Sequence, residues 1–460
     1  MGRMVFEEIV QRFVDQRPIA VMTRVILERQ FSPEFFDDTF GEVAQEQYVR
    51  DLTFSSCAKL LAQVTLGTAP TVHAAFLKDR ETIPVTVTAV YDKLQGIEPR
   101  VCEALLQRSA EELHKVILRL AKRRRPLPGY RLRILDGNVL AGTEHRLKEL
   151  RGTGAAALPG MSLVLYDYDT NLITGLLACE DGHTNERSLV GELLPQVKAG
   201  DLIMADRNFC TLELLTGIEK RNGAFLVRHH KGSSLIWQGQ RKACGRGRTG
   251  RVYEQHVRVS DGITCRAILV QRDKPLQDGS REVILLTNVP ATKASARRLA
   301  ELYLQRWTIE ETFRQLTEYL SCEVSTLGYP KAALFAFTLA VLAYNALACV
   351  KAALAKGHPR TKGDDWSSFY LAWEVKAAFD GLLVAVPPEQ WQPFAVMTAD
   401  EFAQALQGIA ESADPLRYAK RKRGPKKAIQ REKVSRGSHV STAKVLARRE
   451  TKRRLMANAS

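Results

Sequence analysis

The chain has 460 residues, 45% of them apolar, which allows two or three hydrophobic cores. Its eight cysteines are scattered singly with no C-x-x-C pair, which excludes a zinc or disulfide framework and points to a reducing cytosol; acids and bases interrupt the first thirty residues, so no export signal is expected. The net charge of +16 is concentrated from Arg417 onward, where sixteen Lys and Arg face only Glu432 and Glu450, giving +14 for the tail and leaving +2 for the rest.

The first ~120 residues read as helical, with short amphipathic runs from Phe6 to Phe13 and from Val21 to Leu27. Ser109-Ala110-Glu111-Glu112 has the pattern of a capping box, expected to open a helix carrying Leu113, Val116, Ile117 and Leu120. Lys122-Arg123-Arg124-Arg125 and Pro126-Leu127-Pro128-Gly129 then mark a boundary, so 1–125 is expected to be a helical DNA-binding domain.

Beyond the boundary the expected order is three strands (Arg131 to Leu135, Met161 to Tyr166, Leu172 to Cys179), a helix from Glu186 to Val197, a strand from Asp201 to Ala205, a helix from Leu212 to Arg221 and a strand from Ala224 to His229. A tight turn favours antiparallel pairing of the early strands, and intervening helices favour parallel pairing of the later ones. The expectation is an α/β fold, a mixed sheet with flanking helices. Segments 231–290 look like a β-rich insertion, with strands from Arg251 to Val259, Thr264 to Val270 and Glu282 to Thr287. Helical periodicity resumes from Ser295 through Leu320, and 361–416 is expected to be a helical C-terminal region. The 19 uncharged residues between Lys331 and Lys351 are long enough to span a membrane, but their alanines, Thr338, Tyr344 and Asn345 suit a buried core helix better. The tail, 417–460, has little to bury and reads as a disordered nucleic-acid clamp.

Two strands are expected to end in an aspartate, Ile134-Leu135-Asp136 and Met204-Ala205-Asp206, the position where open α/β sheets place ligand-binding groups. On the helix after the insertion, Leu302, Ile309, Phe313, Leu316 and Leu320 recur as a core stripe, while Tyr303, Arg306, Glu310 and Arg314 form a second stripe at its edge. Taken alone, each aspartate also fits a cap or turn, and Arg306 with Glu310 also fits an ordinary i, i+4 ion pair. His183 and Asn185 precede the helix expected at Glu186, within reach of the site, but capping by Thr184 or Asn185 explains the segment more simply.

These residues resemble the DDE transposases of bacterial insertion sequences, in the insertion-sequence-four family known for a Tyr-Arg-Glu-Lys signature. Y-x-x-R-W-x-I-E is present as Tyr303, Arg306, Trp307, Ile309 and Glu310, and Asp206-Arg207 follows the second strand; the signature's lysine is replaced by Thr317. The resemblance covers about Leu132 to Leu320. It implies a ribonuclease-H-like catalytic domain over 126–230 and 291–360, with Asp136, Asp206 and Glu310 as catalytic residues holding two Mg²⁺ ions, for which Mn²⁺ can substitute. It further implies that Tyr303, Arg306, Arg228, Arg207 and Arg314 contact phosphates and that Trp307 stacks on a flipped base at a hairpin end. The implied activity is cut-and-paste cleavage and strand transfer at terminal inverted repeats, by a homodimer on double-stranded DNA, cytoplasmic and nucleoid-associated, with no membrane partner. Two alternatives stay open, a nuclease or resolvase on the same fold and a domesticated DNA-binding protein without activity.

Overall fold

The computed structural model describes residues 8–47, 49–121, 125–140, 160–260, 262–276, 279–324, 326–361 and 366–421. The described residues up to Ala419 form one compact unit. Most of the basic cluster at 122–125 and the tail from 422 onward lie outside the described residues.

The chain opens with seven helices: α1 (Glu8–Gln16), α2 (Pro18–Gln30), α3 (Pro33–Val43), α4 (Phe54–Thr65), α5 (Val72–Lys78), α6 (Val87–Gln95) and α7 (Pro99–Leu120). Side chains of Ser32, Thr53, Thr71 and Thr86 accept the free N–H groups at the starts of α3 to α6. The capping box expected at Ser109 is not one. Ser109 is buried inside α7, which starts at Pro99, and its hydroxyl donates back to Leu106 O at 3.0 Å. The Ser-x-x-Glu pattern also fits a mid-helix serine bonded to its own preceding turn.

Five strands follow, β1 (Arg131–Leu140), β2 (Gly160–Asp167), β3 (Leu172–Cys179), β4 (Asp201–Ala205) and β5 (Ala224–Arg228), with α8 (Val190–Leu193) before β4 and α9 (Leu212–Glu219) after it. Strand β1 outruns its expected end at Leu135 because antiparallel pairing to β2 continues to Leu140, whereas its parallel pairing to β4 stops at Leu135 opposite Ala205. The helix expected from Glu186 is three tight turns, 3₁₀ over Glu186–Leu189, α8, and 3₁₀ over Leu194–Gln196, where Pro195 prevents a continuous helix.

The segment read as a β-rich insertion supplies β6 (Leu235–Gly247), β7 (Gly250–Val259), β8 (Thr264–Arg272) and β9 (Glu282–Thr287). They extend the same sheet, since β9 pairs with β5, giving nine strands in the order β3-β2-β1-β4-β5-β9-β8-β7-β6. β1, β4 and β5 are mutually parallel, and the other pairings are antiparallel. A 3-2-1-4-5 order with an antiparallel leading hairpin and parallel central strands is the ribonuclease-H-like arrangement.

The remaining helices are α10 (Ala296–Tyr303), α11 (Trp307–Tyr319), α12 (Pro330–Gly357), α13 (Ser368–Ala385), α14 (Gln392–Ala395), α15 (Ala399–Glu411) and α16 (Pro415–Tyr418). Alternation along the strands sends Ile134, Leu202, Met204 and Leu226 into one core with α2, α4, α7 and α10 to α15, and sends Leu135, Ile203, Ala205 and Val227 into a second core with α8 and α9. The N-terminal helices share the first core with the C-terminal ones: α7 and α4 pack on α12, and α2 packs on α13. The apolar helix α12 is long and hydrophobic enough to cross a membrane, yet the whole of its most apolar stretch is buried inside the protein.

Strand β3 is an edge of the sheet, and helices on the first core's side occupy its outward backbone groups. Asn345 of α12, fully buried, accepts from Ile173 N at 2.9 Å and donates to Ile173 O at 2.8 Å, beside a register shift between β2 and β3. Glu103 of α7 accepts from Ala178 N at 2.9 Å. A buried peptide group without a partner costs about 1–3 kcal/mol, so these side chains complete the sheet where no strand does.

Candidate active site

Asp136 lies within β1, one residue past Leu135, the last to pair with β4, and Asp206 is the first residue after β4. Both therefore stand at the carboxyl end of the parallel strands, although only β4 ends there. Asp136 Oδ1 accepts from Gly137 N at 3.0 Å. Asp206 Oδ1 accepts from Asn208 N at 2.7 Å and caps the short turn Arg207–Phe209.

The helix expected as one rod from Ser295 to Leu320 is broken. α10 stops at Tyr303, residues Leu304–Arg306 form a 3₁₀ turn, and α11 starts at Trp307. Three side chains hold this turn against the sheet end. The Tyr303 hydroxyl donates to Ala205 O at 3.2 Å, Tyr168 donates to Gln305 Oε1 at 2.9 Å, and Arg306 Nη1 lies 3.3 Å from Asp136 Oδ2. The second Arg306 nitrogen, Nη2, donates to Glu310. Ile309 and Leu316 face the core as expected, Thr312 is buried beside them, and Phe313 is only partly buried.

The structure thus joins Asp136, Arg306 and Glu310 through the guanidinium and sets Tyr303 against the end of β4, just before Asp206. Burial pushes the Asp136 carboxyl up to about 7 against the opposing pull of Arg306, with Asp206 and Glu186 adding to the rise. Burial also raises the Tyr303 phenol, which stays protonated, and the charge of Arg228 at the end of β5 acts on it. Trp307 is 64% exposed, with the Arg306 guanidinium 5.5 Å from its ring centre. Arg207 is exposed on the turn after Asp206.

Arg314 does not join this group. Its guanidinium binds Glu311 and Glu318 and packs on Tyr319, forming a surface network of its own. Thr317 turns its hydroxyl back to Phe313 O at 3.2 Å. Asn185 caps the turn at Glu186, and the His183 backbone N–H donates to Asp181 at 2.9 Å. Two residues that the sequence did not single out do reach the site: Glu186 accepts from the Asn208 amide, and its charge acts on Asp206 and Asp136. Pairing across the sheet end, rather than any local motif, brings them there.

Carboxylate oxygens without a neighbouring His or Cys are the donors that a hard divalent cation takes. Among the described residues, however, no three acidic, His or Cys side chains are grouped tightly enough to hold a metal ion. Arg306 stands between Asp136 and Glu310, so the donor chemistry fits and the guanidinium must give way before both carboxylates share one ion.

Residues 127–346 match the family described as a transposase DDE domain, which supports a DDE transposase. No curated protein matches the chain. Among solved structures, the chain is similar to a piggyBac transposase in a synaptic complex with hairpin DNA, at 11% identity and a TM-score of 0.40, over 89% of this chain and 86% of that one.

Proposed function

We propose, from the match of residues 127–346 to the transposase DDE domain, that this chain cuts and rejoins DNA at the terminal inverted repeats of an insertion sequence of the insertion-sequence-four family. The observation that carries the reading is the Arg306 guanidinium, which ties Asp136 to Glu310 at the sheet end where Asp206 also stands. In this reading Asp136, Asp206 and Glu310 hold divalent cations, Mg²⁺ or Mn²⁺. Such ions, when bound, activate a water or a 3′-hydroxyl and stabilise the leaving oxygen of a phosphodiester.

The chain's own groups supply the positioning. Arg306, charged at any working pH, offers a planar pair of donors to a phosphate once DNA displaces its carboxylate partners. Tyr303 keeps its proton and remains a donor. Arg228 and Arg207 flank the strand ends as phosphate contacts, and the exposed face of Trp307 suits stacking on an unpaired base. Arg314 reaches DNA only by leaving Glu311 and Glu318. The N-terminal helices and the basic tail add DNA affinity, and two copies act together in a synaptic complex; the setting is the bacterial cytoplasm.

The test incubates purified full-length protein with Mg²⁺, a labelled terminal-repeat duplex and a supercoiled target. Cleavage with joining of the cut end to the target is expected. Cutting without joining would identify a nuclease or resolvase, and binding without cutting a domesticated DNA-binding protein.

A further inference from the structure

Glu186 opens the first tight turn after β3, on the opposite side of the sheet from α11, since its neighbours Leu189 and Val190 lie in the second core and Ile309 in the first. One of its oxygens accepts from the Asn208 side-chain amide. Next to it, Arg187 Nε donates to Asn208 O at 2.7 Å. Asn208 is thereby held at both its side chain and its carbonyl, and its backbone N–H is the group that donates to Asp206 Oδ1 at 2.7 Å.

The other Glu186 oxygen lies over Gly137, the residue after Asp136. A Cβ built on Gly137 would come within 1.9 Å of Glu186 Oε1 and 2.7 Å of its Cδ. Gly137 is not among the glycines with positive φ, so its backbone does not require glycine. A side chain at this position would instead displace the end of Glu186 from the place it now holds. The acid also sits in an unfavourable place, where burial and the charge of Asp206 both raise its pKa. A carboxylate kept half-buried beside two others, and given a glycine to make room, points to a task at the site.

We propose that Glu186 is a positioning residue for Asp206, acting through Asn208, with Gly137 as the gap that admits it. The inference rests on the functional reading above, in which Asp206 is a cation ligand. Groups that orient the ligands of a metal ion by hydrogen bonding contribute roughly 10- to 100-fold to its affinity.

The test uses the metal-free, DNA-free full chain and measures Mn²⁺ affinity from the electron-spin signal of the free ion, with melting temperature followed in parallel. Glu186→Ala is expected to weaken Mn²⁺ binding by about 10- to 100-fold. Glu186→Gln, which keeps an oxygen for the Asn208 amide, is expected to stay within about fivefold of wild type, the difference between a charged and a neutral acceptor. Gly137→Ala should match Glu186→Ala, and the double variant should be no worse than Glu186→Ala, because both changes remove one interaction. Wild-type affinity in Glu186→Ala, or a Gln variant as weak as the Ala variant, would overturn the proposal. If Asp206→Asn and Asp136→Asn themselves bind Mn²⁺ as wild type does, the functional reading fails; if they lose it while Glu186→Ala keeps it, only this inference does.

Discussion

Arg306 Nη1 stands 3.3 Å from Asp136 Oδ2, a cation already seated against the carboxylate at the end of the parallel strands. This pair sets two properties in opposition. Removing the guanidinium frees Asp136 and Glu310 for a divalent ion but takes away the donor pair for a phosphate. We expect Arg306→Ala to tighten Mn²⁺ binding about two- to fivefold, the scale of an ion pair worth up to ~1 kcal/mol. Cleavage should fall about a hundredfold or more, as when one preorganised charge-stabilising donor is lost. Parallel Mn²⁺ titrations and single-turnover cleavage check both directions.

Glu310 and Glu311 are adjacent in sequence and separate in space. Glu310 is bound to Arg306, whereas Glu311 belongs to the Arg314 network. Glu310→Gln is expected to lower Mg²⁺-dependent cleavage by about a thousandfold or more, and Glu311→Gln to stay within about tenfold of wild type, under ~1.4 kcal/mol. Equal losses in two folded, DNA-binding variants would refute the assignment of Glu310.

The pairing of Asn345 with the Ile173 backbone should be visible in stability alone. Asn345→Leu leaves a buried N–H and a buried C=O without partners, at about 1–3 kcal/mol for each. Denaturant unfolding should show a loss of about 2 kcal/mol or more, and a neutral result would mean that the surrounding structure relaxes to satisfy both groups.

Glu103 carries a pH signature. Burial raises its carboxyl above the usual 4.5, so the folded chain holds this proton more tightly than the unfolded chain does. Its contribution to stability is therefore present at low pH and is lost as pH rises through the raised value. Glu103→Gln keeps an acceptor for Ala178 N and cannot ionise. We expect the variant to match wild type near pH ~4 and to be the more stable of the two at about pH 8. Unfolding curves at the two pH values check it, and a variant less stable at the higher pH would reverse the sign.

The junction with the basic tail constrains any truncation. Tyr418 is buried and donates to the fully buried Glu374, which also accepts from Ile19 N at 3.0 Å and pairs with Arg417 at 3.4 Å. Cutting after Pro415 would strand that carboxylate; cutting after Ala419 spares it. We expect the chain ending at Ala419 to fold normally, to bind matched and random duplexes more weakly by a similar factor, and to show a flatter salt dependence. An unchanged salt slope would remove the tail from DNA binding.

The mixed sheet with flanking helices was legible because strand alternation, turn residues and intervening helices report on short stretches of chain. Asp206 was legible for the same reason, at the end of a short apolar run. Asp136 was placed correctly relative to β4 but not to β1, whose last five residues are held by β2, a partner distant in sequence. The helix through Tyr303 and Arg306 has unbroken periodicity, and its interruption at Leu304–Arg306 follows from contacts to Tyr168, Ala205 and Asp136 that no local pattern encodes. Glu186 looked like the start of a helix. Only the sheet, by setting Gly137 beneath it and Asn208 beside it, reveals its surroundings.

Asn345 and Glu103 also decide where this sheet can grow. With β3 closed by side chains, the open margin is β6, whose residues are largely exposed. That margin is a poor template for amyloid-like stacking, because Arg241, Lys242 and Arg246 lie along it and its register to β7 breaks between Gln238 and Lys242 and again between Ala243 and Arg246. The two margins are thus guarded differently, β3 by side chains that fill its hydrogen bonds and β6 by charge together with an irregular register. Only the charge weakens with salt, so high-salt storage should favour self-association through β6 over any through β3.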